Sequence, residues 1–295
     1  MKAMIVVTAP TGHIGGRLVQ DLLEAGAPVR VVARDPARLT PDVVERVEIV
    51  RGSHGDPAVV TEAFAGAAAV FWLVPADPRS TSPDEAYSGF TRPVLDALAA
   101  VPRVVGISAL GRGTSVAGRA GHVTATLAMD DLIAATGVPY RALTMPSFMD
   151  NTLRQLTPIT QQGVLYGPIV PDLSAPTVAT RDVAAVAARL LRDDTWTGFE
   201  EVPVLGPEDL TPSEMAAIVA DVLGRPVRYQ QVPGEAFKEN MRRAGLSEAI
   251  AQGMLDMAVA KNEGLDNGVA RTPEWSTPTT FRQWCLDVLK PAADA

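Results

Sequence analysis

The sequence predicts an α/β fold: a doubly wound parallel sheet with a smaller C-terminal α+β lobe. Three observations predict it. Short runs rich in valine and isoleucine alternate with stretches of helical period. The first run passes directly into a glycine-rich turn. The alternation ends near residue 150, where proline, glycine and short apolar pieces take over. Strands that are apolar throughout are buried on both faces, and helices between them imply right-handed parallel crossovers.

The elements follow in order. "AMIVVTA", "PVRVVAR" and "VERVEIVRG" read as the first three strands. After the first, "HIGGRLVQDLLEAGA" places Ile14, Leu18, Leu22 and Leu23 at helical spacing, and Gly26 ends the helix. "PAVVTEAFAG" reads as helix, "AAVFWLVPA" as strand, "DEAYSGFTRPVLDALAAV" as one helix and "RVVGISAL" as strand. The helix "TATLAMDDLIAATG" and the strand "YRALTMP" come next. "TRDVAAVAARLLRD" is a helix with Thr180 as its expected N-cap and Asp182 in its first turn. "EEVPVLGP" is one further strand. "LTPSEMAAIVADVLG" carries a full start signal, with Thr211 as cap, Pro212 in the first turn and Glu214 three residues after the cap; Gly224 closes it. "VRYQQVP" is a strand candidate, and 234–293 reads as mostly helical with loops near 264–280. The expected division is 1–152 for the first domain, completed by about 178–206, with 153–177 and 207–295 forming the smaller lobe.

The totals exclude several classes. The chain has 295 residues, 47% of them hydrophobic, enough to fill a core. A net charge of -8 argues against a nucleic-acid partner, which needs a basic footprint. The one cysteine, Cys285, rules out an intramolecular disulfide and fits a reducing compartment. It sits at helical spacing in "FRQWCLDVL" and is expected to be a packed thiol. The longest apolar stretch, "AGAAAVFWLVPA", falls far below the roughly 20 residues of a membrane helix. With no export signal in view, a cytoplasmic protein, monomer or homodimer, is expected.

The stretch "TAPTGHIGGRL" leaves the first strand and opens the first helix. That layout holds the pyrophosphate of a dinucleotide in a Rossmann domain. Gly12 and Gly15 take the second and third glycine roles, which are close backbone approach and close helix–strand packing. Ala9 replaces the first glycine, and it serves provided that φ there is negative. Pro10 fixes its own φ at about −65° and removes one N–H donor. The amides at the helix start, with the dipole behind them, still face a phosphate. At the end of the second strand, "VVARDPARL" puts Arg34 where an adenosine ribose would lie. Arg34, with Arg38, would clamp a 2′-phosphate and favour NADPH. Two other readings stand beside this one: Asp35 accepting from the free 2′-OH of NADH, or Arg34 simply pairing with Asp35.

Six stretches in order carry a family resemblance: "TAPTGHIGGRLVQDLL", "VRVVARDPARL", "AFAGAAAVFWLVP", "SFMDNTL", "TRDVAAVAARLL" and "LGRPVRYQQVPGEAF". Together they resemble the NmrA-like family of atypical short-chain dehydrogenases/reductases, near its bacterial quinone-oxidoreductase-like members. The resemblance implies NAD(P)H bound between a Rossmann domain and a substrate lobe. It also implies two different activities, reduction of quinones, enones or ketones, and dinucleotide sensing without turnover.

Carried over by position, Thr8, Gly12, His13 and Ile14, with Pro10 and Thr11 in the same turn, would contact the pyrophosphate. Arg34 would hold the adenosine phosphate. Leu73, Val74 and Pro75 would border the nicotinamide-side ribose, and Ser108 would lie near the nicotinamide. Phe148 and Asn151 would line the substrate mouth. The short-chain reductases' tyrosine and the lysine four residues on are replaced here by His122 and Thr126. Thr126 can hold a ribose hydroxyl but brings no charge.

His122, Tyr87 and Ser108 are the candidate proton donors. Tyr87 follows the loop "ADPRSTSPDE", expected as a lid over the nicotinamide. His54, in "RGSHGDP", is expected on a loop near adenine, and three scattered histidines have no ligand spacing for a metal. Trp275 and Phe148 are candidates to wall an apolar substrate pocket, with core packing the alternative. The expected function is NADPH-dependent reduction of a small aromatic or conjugated carbonyl compound. The alternatives are a redox sensor acting through a protein partner and a redox-neutral isomerase or cyclase on a repurposed fold.

Overall fold

The computed structural model describes residues 3–295. Its central sheet has seven strands, all parallel. The first six are β1 (Met4–Thr8), β2 (Val29–Ala33), β3 (Glu48–Arg51), β4 (Ala67–Trp72), β5 (Val104–Ala109) and β6 (Tyr140–Met145). The seventh, Phe199–Pro203, lies outside β6, and the full order is seventh, β6, β5, β4, β1, β2, β3. The chain therefore runs outward from β1 to β3 and resumes on the other side of β1 with β4. That reversal leaves a crevice at the carboxyl ends of β1 and β4, where ligands of doubly wound sheets bind.

Alternation along each strand feeds two cores. Ile5 and Val7 of β1 face the helices His13–Glu24 and Thr180–Arg192 through Leu18, Leu22, Val183 and Ala187. Val6 faces the other side, with Val60, Leu98, Met129 and Ile133 from the helices there. Each fully buried leucine contributes about 1.5–3 kcal/mol.

Two expected elements differ. The helix expected over "DEAYSGFTRPVLDALAAV" runs unbroken over 83–99, but it carries a π-helical turn at Glu85–Gly89 and a tight turn at Arg92–Val94 before Leu95–Ala99. Pro93 lacks the N–H that a regular α-helix would use. Thr180 is not the N-cap of its helix: Ala179 holds that place. Asp150, thirty residues upstream, supplies the capping carboxylate, accepting from the Thr180 amide at 3.0 Å and its hydroxyl at 2.8 Å.

The C-terminal part builds small sheets of its own. Asp209–Leu210, Ala175–Val178 and Ser147–Phe148 form one, and Val164–Gly167 pairs with Arg228–Gln231 in another. The helix Pro212–Leu223 opens on the expected capping box. Thr211 Oγ1 accepts from the Glu214 amide at 3.1 Å, and Glu214 accepts from the Thr211 amide at 2.8 Å. Phe281, Trp284 and Cys285 pack against this helix, and burial pushes the Cys285 thiol up to about 12. Among the described residues no helix is long and apolar enough to cross a membrane.

Candidate active site

The crevice begins where β1 ends. Ala9 takes φ +50°, and among the described residues it is the one non-glycine with positive φ. The requirement for negative φ is therefore overturned. The chain must leave β1 so that the Ala9 carbonyl turns over the first helix, where it accepts from the Gly12 amide at 3.3 Å. The approach is so close that a Cβ on Gly15 would lie 2.2 Å from that carbonyl oxygen. Gly15 therefore has the packing role expected of the third glycine. Gly12, at φ −90°, is the uncapped start of the helix His13–Glu24, and the first-turn amides face the crevice.

Relieving the left-handed alanine should gain about 1–2 kcal/mol, less about 0.5–1 kcal/mol of glycine's extra unfolded-state entropy. Ala9→Gly is thus expected to raise Tm by about 1–3 °C in a thermal melt without coenzyme, and an unchanged or lower Tm would contradict this account.

The crevice is a cleft of about 840 Å³. Pro10, Thr11, Gly12, His13, Ile14, Arg34, Leu73, Pro75, Phe148 and Asn151, all expected near coenzyme or substrate, line it. Arg38, His54, Asp150 and Arg154 join them. The side chains of Arg34 and Arg38 make no hydrogen bond or ion pair among the described residues, so Arg34 does not pair with Asp35. Asp35 instead accepts from the Ala37 amide at 3.2 Å. His54 is buried in the cleft wall, edge-on to Trp72 and Phe90 at 5.2 and 5.0 Å. Its Nε2–H donates to the Leu73 carbonyl at 2.9 Å. Burial lowers its pKa to about 4, so the ring is neutral and Nδ1 is bare.

Seven expected residues do not line the cleft. Thr8 is wholly buried; its hydroxyl donates to Phe71 O at 2.9 Å and accepts from the Leu73 amide at 3.0 Å. It ties β1 to β4 beneath the crevice and leaves nothing for a phosphate. Val74 turns into the core on the far side of the sheet. The loop after Pro75 is latched to the C-terminal part: the Ser247 amide donates to Pro78 O at 2.8 Å, and its hydroxyl to Ser80 O at 2.7 Å.

Tyr87 is half-buried beside His122, with ring centroids 5.9 Å apart. Its phenol is hydrogen-bonded to Thr126, and burial raises its pKa. Thr126 Oγ1 in turn donates to His122 O at 2.9 Å, so it is not free for a ribose. His122 is buried under the helix Glu248–Asn262, and its Nε2–H donates to Ile250 O at 3.1 Å. Burial lowers its pKa and keeps the ring neutral. Trp275 lines a different groove from Phe148, with Arg189 and Trp196 beside the seventh strand.

Ser108 points to a residue the sequence reading passed over. Its hydroxyl donates to Asp130, which is fully buried on the helix His122–Ala134 and also accepts from Tyr140 OH at 2.6 Å. Burial pushes the Asp130 carboxyl up to about 7, against the pull of these two hydrogen bonds. Its position among Thr126, Met129 and Ile133 on the buried face was the available signal. Arg154 had a signal as well. It follows Asn151 by three on the 3₁₀ stretch Met149–Gln155, where such residues eclipse.

A family model described as NAD(P)H-binding matches residues 10–194, and the NmrA-like family model matches residues 125–284. The chain is 33% identical to the (4-alkanoyl-5-oxo-2,5-dihydrofuran-3-yl)methyl phosphate reductase of Streptomyces griseus, over 96% of this chain and 97% of that one. It is 27% identical to the NAD(P)H azoreductase of Xenophilus azovorans, over 86% of each. The solved structure of the NADPH-dependent quinone oxidoreductase QOR2 of Escherichia coli with NADPH superposes at a TM-score of 0.78 and 22% identity, covering 97% of this chain and 99% of that one.

Proposed function

The chain belongs to the NmrA-like family of NAD(P)H-binding proteins, and from that premise we propose that it is an NADPH-dependent reductase of small conjugated carbonyl compounds. The residues fit the coenzyme. The uncapped start of the helix His13–Glu24 suits the pyrophosphate, and Gly15 keeps the turn tight enough for it. Arg34 and Arg38 suit the 2′-phosphate, and Leu73 and Pro75 border the nicotinamide half. When bound, the coenzyme supplies a hydride.

One observation carries the choice of substrate class. Every acid candidate, His122, Tyr87 and Ser108, is hydrogen-bonded internally and turned from the cleft. The wall between Leu73 and Phe148 offers apolar surface, the Asn151 amide and the Arg154 guanidinium instead. Such a wall can hold a flat conjugated ring in place, exclude water from it and give one hydrogen bond to its oxygen. Quinones and enones accept hydride under those conditions without a strong acid, with positioning supplying much of the rate. The Streptomyces griseus relative supports this reading, since its named substrate has a ring double bond conjugated to carbonyl groups.

The test is NADPH oxidation, followed by absorbance, over a panel of quinones, unsaturated lactones and simple ketones. Turnover of the first two classes in preference to ketones is expected, with kcat varying less than about threefold between pH 6 and 8, because His122, Tyr87 and Ser108 are held by internal hydrogen bonds away from the cleft. No oxidation with any compound would reject the proposal. The same turned-away acids also favour a second reading, a redox sensor that binds NADPH and acts through a protein partner; tight coenzyme binding without turnover would select it.

A further inference from the structure

A second cavity of about 250 Å³ lies behind the substrate side of the cleft. Phe148 and Asn151 line both spaces, so they stand between the two. Leu165, Leu173, Leu210 and Met215 make its walls. Several of the polar groups around it are engaged with the protein. The Gln155 amide bonds both the carbonyl and the amide of Tyr166 at 2.7 Å. Tyr229 OH donates to Ile169 O at 2.7 Å, and Lys261 is paired with Asp266. Three hydroxyls on the wall, those of Ser147, Thr152 and Thr177, make no hydrogen bond among the described residues, and Thr177 Oγ1 is fully buried.

Most of the exposed lining is apolar, which favours hydrocarbon against these walls. A dry apolar cavity of about 150 Å³ takes a benzene molecule. By that scale this one accepts a branch of about six to eight carbons. Its walls belong to the small C-terminal sheets and the helix Pro212–Leu223, so its shape is set apart from the coenzyme half.

We propose that this cavity receives an aliphatic chain of the substrate, so that the protein acts on conjugated carbonyl compounds bearing an alkyl or alkanoyl branch. The inference rests on the reductase reading only in placing the reacting carbonyl beside Phe148 and Asn151. The chain passes between these two side chains and ends against Leu173, Leu210 and Met215. Each buried methylene then strengthens binding about fourfold until the cavity is full.

The test is calorimetric titration of the NADP⁺-saturated protein with acetyl-, butanoyl-, hexanoyl- and octanoyl-substituted unsaturated γ-lactones, and with a benzoyl analogue. Kd is expected to fall about fourfold per methylene up to the hexanoyl or octanoyl member. Met215→Trp and Leu173→Trp should flatten that dependence. The wild-type series decides by itself if either variant fails to fold. A Kd independent of chain length overturns the inference, and so does a benzoyl compound that outbinds every chain. Chain-length dependence without NADPH oxidation upholds the cavity and overturns the reductase reading. Oxidation with a flat series does the reverse.

Discussion

Replacing Arg34 and Arg38 together by alanine is expected to raise the Kd for NADPH by about 100-fold and to leave the Kd for NADH within about threefold. Both guanidiniums stand exposed at the end of β2, on the cleft wall, without a protein partner. They have no structural bond to lose, so the fold should tolerate the change. A 2′-phosphate brings close to two negative charges. A hydrogen bond to a charged group contributes about 1.5–3 kcal/mol, and solvent exposure keeps the pair toward the low end. About 2.7 kcal/mol in total corresponds to the 100-fold loss. Because the site is exposed, the preference for NADPH should also shrink as salt is raised toward 0.5 M, where screening shortens to about 4 Å. Titrations of both coenzymes against wild type and variant decide it. An equal loss for NADPH and NADH would mean that Arg34 and Arg38 support the turn rather than read the phosphate.

The contrast between these arginines and the acid candidates shows what the sequence could and could not carry. Arg34 was legible because its position depends on local facts: a buried strand ends, and the next side chain must face the crevice. The capping box at Thr211 and the packing glycine at Gly15 were legible for the same reason. His122 and Thr126 lie on the helix His122–Ala134, which the sequence made legible. Their orientation is decided elsewhere. The helix Glu248–Asn262 lies over His122, and its Gly253 is so close that a Cβ there would come 3.2 Å from the imidazole. No local pattern announces that contact across some 130 residues. The hydrogen bond of Ser108 was missed because its partner, Asp130, is a charged residue on a buried face, which amphipathic patterning reads as solvent-facing. Ala9 shows the remaining gap. The turn's identity was readable, but which residue bears the left-handed conformation depends on how the helix docks against β1.

Asp130 and His54 should give stability two opposed dependences on pH. Asp130 titrates near 7 when folded and near 3.9 when unfolded. Between those values the folded protein holds a proton that the unfolded chain has lost, so this group's contribution falls as pH rises, by up to about 1.4 kcal/mol per pH unit. His54 titrates near 4 when folded and near 6.5 when unfolded. In that window the unfolded chain holds the extra proton, so its contribution falls as pH drops, with a similar slope. From about pH 4 to 6.5 the two slopes cancel, and each becomes visible only when the other is removed. Asp130→Asn keeps an acceptor for Ser108 or Tyr140 and deletes the titration. Relative to wild type it should gain about 3–4 kcal/mol between pH 4 and 7. His54→Gln should gain about 3 kcal/mol relative to wild type as pH falls from 6.5 to 4. Urea unfolding of the three proteins at four pH values across this range, without coenzyme, measures both differences. Curves that stay parallel for Asp130→Asn would mean that Ser108 and Tyr140 hold the carboxylate charged despite its burial, and Asp130 would then act as a fixed anion beneath β5.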